Sequence, residues 1–229
     1  MEKNYKFDDL LEIVKKLRGE GGCPWDMEQT HQSIKQSIIE EGYELIETLD
    51  NEDWENVADE SGDLLLQVVF HAQIGKEKGE YNMDDVINAV CRKLIHRHPH
   101  VFGDVKVKDS NEVLANWNQI KRDDRGQKTV AQDMEEVSKY LPSLMRAQKI
   151  QSKAEKGGYV FSEPVFAAES IANLLNVMLG NTEPEIAEKY IGKVLFETVS
   201  VAKKMGIDAE TALNRQIETF IQEYSKYEG

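Results

Sequence analysis

Residues 39–72 read IEEGYELIETLDNEDWENVADESGDLLLQVVFHA, and two acidic groups punctuate them. Glu40, Glu41 and Glu44 lie within about one helical turn, and Glu60 and Asp63 are three positions apart. On a helix, residues three or four apart share a face. Leu64, Leu65, Val68, Val69 and Ala72 recur at helical spacing and predict the buried stripe of a helix over 54–78, ended by Gly79. A second helix is predicted over 33–49, with Asp50 and Asn51 at its end. A short connection makes such helices antiparallel neighbours, so the two acidic groups converge.

The rest of the chain reads the same way. Leu10, Leu11, Val14 and Leu17 mark an early helix, and GEGGCPWD at 19–26 is a loop because Gly and Pro cluster there. Asp84 is expected to cap a helix over 85–97, which Pro99 stops, and Ser110 to cap a helix around EVLANWNQIK. Strand-like alternation is scarce and only 5 prolines occur in 229 residues. The expected fold is all-α, built of helical bundles. The polar stretch 122–139, containing Gly126, reads as a linker between residues 1–121 and 140–229.

Bulk properties narrow the function. Hydrophobic residues make up 40% and charged residues 31%, an ordinary globular balance. No apolar run approaches the roughly 18 residues that span a membrane, and the charged N-terminus has no signal-peptide core, so a cytoplasmic location is expected. A net charge of −14 argues against a nucleic-acid partner. It leaves room for a polyphosphate, because divalent cations can sit between an acidic site and an anion. Cys23 and Cys91 form neither a disulfide framework nor a CxxC pair, and both read as inert packing residues.

The acidic groups are open to two readings. They are either a solvated helix surface or a site for a hard cation, since converging carboxylates repel one another unless a metal such as Mg²⁺ lies between them. Glu60 and Asp63 run straight into an apolar stretch, where unpaired charge is costly, and this favours the metal. His96, His98 and His100 flank Pro99 and do not share one helical face, so a structural or capping role is expected of them.

The chain resembles the MazG family of nucleotide pyrophosphohydrolases, within the all-α NTP pyrophosphatase superfamily. The superfamily's EExxE and ExxD motifs stand here as Glu40-Glu41-Gly42-Tyr43-Glu44 and Glu60-Ser61-Gly62-Asp63. More specific strings surround them: GCPWDMEQTHQS, ADESGDLLLQVVFHAQI, KLIHRHPHVFGD and VLANWNQIK, covering nearly all of 8–121, with LPSLMRAQKIQSKA beyond. The resemblance implies hydrolysis of nucleoside triphosphates, NTPs and dNTPs broadly, between the α and β phosphates, and leaves the role open between nucleotide-pool housecleaning and lowering a signalling nucleotide. It implies Mg²⁺, with Mn²⁺ as a substitute, held by Glu41, Glu44, Glu60 and Asp63, and a water oriented or deprotonated by Glu40 or Glu41. Phosphate contacts are expected from Lys93 and Arg97, which share a helical face, and less directly from Lys35. Trp25 and Trp117 either stack on a base or fill the core, the core being preferred. Asp26 and His31 belong to the family strings without an assigned role. The family context implies a homodimer. Two alternatives stay open: a non-catalytic nucleotide-binding regulator, and an enzyme selective for dUTP, dCTP or an alarmone.

GDLLLQVVFHA at 62–72 is echoed by GKVLFETVSVA at 192–202, which points to two copies of one helical unit. At that offset Glu40, Glu41, Glu44, Glu60 and Asp63 fall on Ser170, Ile171, Leu174, Tyr190 and Lys193. The second copy is therefore expected to be degenerate, binding no metal and serving a structural or dimerising role.

Overall fold

The computed structural model describes residues 4–124, 126, 129–180 and 183–228. Those residues form helices and no strands, as the periodicity predicts. The chain divides into two compact units, Met1–Val113 and Leu114–Gly229. The expected linker does not mark the boundary. Helix α7 (Ser110–Asp124) crosses it, and α8 (Val130–Glu135) forms inside 122–139, opened by a capping box between Thr129 and Gln132. Residues 125, 127 and 128 of that stretch lie outside the described residues.

In the first unit, α1 (Phe7–Arg18), α2 (Pro24–Glu28), α3 (Ser37–Asp50), α4 (Val57–Lys78), α5 (Met83–Arg97) and α6 (Pro99–Phe102) follow in order. Helix α4 is the axis, with α1, α3 and α5 packed against it. Val14 of α1 meets Val69, Phe70, Ala72 and Ile74 of α4 in a core that Ile34 and Met83 complete. That core corrects the predicted stripe. Leu65 and Val68 are 40% and 42% exposed, because α1 covers the C-terminal half of α4 and leaves their face uncovered. Arg18 ties the ends together. Its guanidinium pairs with Glu77 at 2.7 Å and donates to the carbonyls of Asp26 and Gln29, anchoring the segment that leads into α3.

Two glycines shape the far end of α4. Gly79 closes the helix in the left-handed conformation, φ 70°, open to glycine at little cost. Gly75 lets the Tyr81 ring lie across the helix: a Cβ there would stand 2.7 Å from the ring. Helix α5 starts earlier than predicted. Its cap is Asn82, whose Oδ1 accepts from the Asp85 N–H at 3.2 Å while Asp85 accepts from the Asn82 N–H, and Asp84 lies inside the helix. The cap before α7 is likewise Asp109, which accepts from the Glu112 N–H at 3.0 Å, and not Ser110.

The second unit contains α8, α9 (Ser143–Lys156), α10 (Pro164–Leu179), α11 (Pro184–Lys204) and α12 (Ala209–Glu228). Here α11 is the axis, packed by α9, α10 and α12. The order of partners around α11 matches that around α4. Gln151 is fully buried, and its Nε2 donates to the Phe196 carbonyl at 2.7 Å. Ion pairs Lys153–Asp133 and Lys203–Glu155 fasten α9 to its neighbours.

Candidate functional site

Helices α3 and α4 form the most extensively packed pair of the first unit, and the acidic motifs lie on both. Glu41, Glu60 and Asp63, all half-buried, bring one carboxylate oxygen each to within 4.8 Å of one another. It is the one group of three or more acidic, His or Cys ligands so placed among the described residues. Glu44 and Glu40 are exposed and stand outside that group. Their charges still act on it: Glu44 disfavours ionisation of both Glu41 and Glu60, and Glu40 that of Glu41.

Burial, reinforced by Asp63 and Glu44, raises the pKa of Glu41 above the ordinary carboxylate value. Burial and then Glu44 and Asp63 do the same for Glu60. Glu60 Oε2 is buried without a hydrogen-bond partner. A shielded lone pair beside two more carboxylates is an oxygen-rich setting that fits a hard divalent cation. Glu41 is held from the other side by Gln67, whose Nε2 donates to its Oε1 at 3.4 Å.

Glu60, Asp63, Gln67 and His71 follow one face of α4 at spacings of three and four. Beyond the carboxylates this face borders a small apolar cavity of about 180 Å³, lined by Ile38, Leu64, Gln67, Val68, His71, Tyr81 and Val86. The Tyr81 hydroxyl donates to the His71 carbonyl at 3.2 Å. Behind His71 stands His31, its ring parallel and Nδ1 2.7 Å from Nδ1. That contact requires one ring to donate and the other to accept. Burial, and then His31, lowers the His71 pKa and keeps it neutral. His31 Nε2 lies 3.8 Å from Glu80. Gln67, His71 and Tyr81 had no place in the sequence reading. Only helical spacing from Asp63 could have flagged the first two, and nothing local marks Tyr81.

The other predicted site residues lie on other parts of the chain. Lys93 is exposed and Arg97 half-buried on α5, and Lys35 is exposed just before α3. Trp25 is 64% exposed, against the core role preferred for it, because the single-turn α2 buries none of its side chains. Trp117 is half-buried on α7 in the second unit. His98 sits at the junction of α5 and α6, its Nδ1 2.7 Å from the Leu94 carbonyl oxygen. Cys23 is half-buried, whereas Cys91 is exposed on α5 and packs no core, since it falls on the solvent side of that helix.

In the second unit four of the five positions expected to match the acidic set come together, Ile171 being the exception. Ser170 and Leu174 of α10 and Tyr190 and Lys193 of α11 border one open cavity. There Lys193 Nζ lies 5.4 Å from the centroid of the Tyr190 ring, a cation–π contact, and Glu169 is the one carboxylate in the lining.

Comparison with known proteins gives the same region. Residues 29–102, from before α3 to the end of α6, match the MazG nucleotide pyrophosphohydrolase domain. Over 227 residues the chain is 37% identical to a protein of Thermotoga maritima named nucleoside triphosphate pyrophosphohydrolase/pyrophosphatase MazG, covering 99% of this chain and 87% of that one. It is 37% identical to the nucleoside triphosphate pyrophosphohydrolase of Escherichia coli, covering 97% and 87%. It is also 40% identical to the uncharacterized protein YabN of Bacillus subtilis, covering 98% of this chain and 48% of that one.

Proposed function

The chain belongs to the MazG family of nucleotide pyrophosphohydrolases and is a hydrolase, and we propose that it cleaves nucleoside triphosphates between the α and β phosphates with Mg²⁺ at Glu41, Glu44, Glu60 and Asp63. The observation that carries this reading is the convergence of Glu41, Glu60 and Asp63 within 4.8 Å around the unpartnered Glu60 Oε2. Bound there, Mg²⁺ or Mn²⁺ supplies the positive charge that a triphosphate needs beside these carboxylates.

The chain's own groups do the rest. Glu41, inside the cluster and steadied by Gln67, takes the proton of the attacking water, and the exposed Glu40 assists through its charge. Lys93 and Arg97, one turn apart on α5, contact the phosphates, with Lys35 as a further contact. The base enters the cavity bounded by Gln67, His71 and Tyr81, which is too small for a whole nucleotide and adjoins the carboxylates along α4. A largely apolar pocket with few polar groups discriminates weakly, which supports a broad range of NTPs and dNTPs and a housecleaning role.

A homodimer belongs to the same proposal. Ile39, Tyr43, Ile46 and Leu49 of α3, with Leu65 of α4, are exposed apolar side chains that a second copy would cover. No helix among the described residues is long and apolar enough to cross a membrane.

The test is pyrophosphate release from the eight common NTPs and dNTPs with Mg²⁺. The Glu41→Gln, Glu44→Gln double variant should lose at least about 100-fold in rate. Unchanged release would overturn the site. Nucleotide binding without turnover in the wild type would favour a regulator instead.

A further inference from the structure

A second cavity lies in the second unit, between α9 and α11. Its volume is about 510 Å³, within the usual range for small-molecule sites. The walls are apolar: Leu144 and Ile150 on one side, Leu195, Phe196 and Val199 on the other. The polar groups in the lining are Lys139, Ser143 and Arg146, and no carboxylate is among them. This is notable in a chain with 42 acidic and 28 basic residues. A cavity lined by two cations and no anion is complementary to negative charge.

Arg146, on α9, is a half-buried side chain of this lining. Its Nε is buried and has no hydrogen-bond partner. The rest of its guanidinium is planar and suited to a carboxylate or phosphate head group.

We propose that the cavity between α9 and α11 binds a small organic anion, with Arg146 and Lys139 taking the charged head and the α11 wall taking the apolar body. The site is separate from the carboxylate cluster and needs no divalent metal. Its head group is a phosphate, as in a nucleoside monophosphate, or a carboxylate.

The probe is 1-anilinonaphthalene-8-sulfonate, an aromatic body with one sulfonate, titrated by fluorescence into the full-length protein in EDTA. The expected result is saturable binding of one probe per chain. Arg146→Gln should weaken it at least 10-fold, Arg146→Lys less so, and Ala147→Phe, which fills the cavity while keeping the charge, should also weaken it. Circular dichroism identifies any variant that fails to fold, and Ala147→Phe then carries the test. Displacement by AMP assigns a phosphate head group, displacement by octanoate a carboxylate, and displacement by neither overturns the proposal. So does equal affinity for the uncharged N-phenyl-1-naphthylamine, which would mark a merely apolar face such as a contact between copies.

Discussion

Glu60 shows how the site trades stability for readiness. Burial and the neighbouring Glu44 and Asp63 raise its proton affinity in the folded chain. A carboxyl that binds its proton more tightly when folded favours folding at low pH, and that contribution is lost as pH rises through the raised value. The metal-free protein should thus carry a penalty at pH 8 that is absent below about pH 4. Glu60→Gln should raise the melting temperature in EDTA at pH 8 and leave it nearly unchanged at pH 4. A shift of equal size at both would contradict the electrostatic account. His71 works in the opposite sense. Its affinity for a proton is lowered on folding, so stability falls as pH drops through the ordinary value of 6.5. His71→Leu should flatten the loss between pH 7 and pH 5, read from urea midpoints.

At the scale of helices, local chemistry predicts the size of two effects. Asn82→Ala removes the side chain that caps α5 and should cost about 1 kcal/mol. Gly62 sits inside α4 with open space where a Cβ would be, so Gly62→Ala should stabilise by about 0.5–1 kcal/mol in urea titration. The same scale shows what could be read beforehand. Helix α4 and its motif were legible because the spacing of Leu64 to Ala72 and of Glu60 and Asp63 is local information. The convergence of Glu41 on Glu60 followed from two helices joined by a short turn. The contact of His31 with His71 spans 40 positions, and the support of Glu41 by Gln67 spans 26. Neither leaves a periodic trace. Asn82 and Asp84 are both good caps, so composition alone could not choose between them. Leu65 and Val68 fit the apolar period and yet remain exposed, because periodicity marks an apolar face without saying what covers it.

For the whole molecule, the uncovered α3 face carries the expectation of self-association. Sedimentation velocity at micromolar concentration should find a dimer, and Ile46→Lys should yield a monomer that melts earlier; a wild-type monomer would remove the basis for this reading. Another consequence follows from Lys193 resting on the Tyr190 ring, where the first unit carries Asp63. One half of the chain concentrates like charges and the other sets a cation at the same position. Heated without divalent ions, the two halves should part company: calorimetry in EDTA should resolve a weaker transition for the carboxylate-bearing unit and a stronger one for its counterpart. Added Mg²⁺ should move only the first upward, by binding linkage. The working half would then be kept folded by the ion it uses, with its twin as a metal-indifferent reference within the same chain.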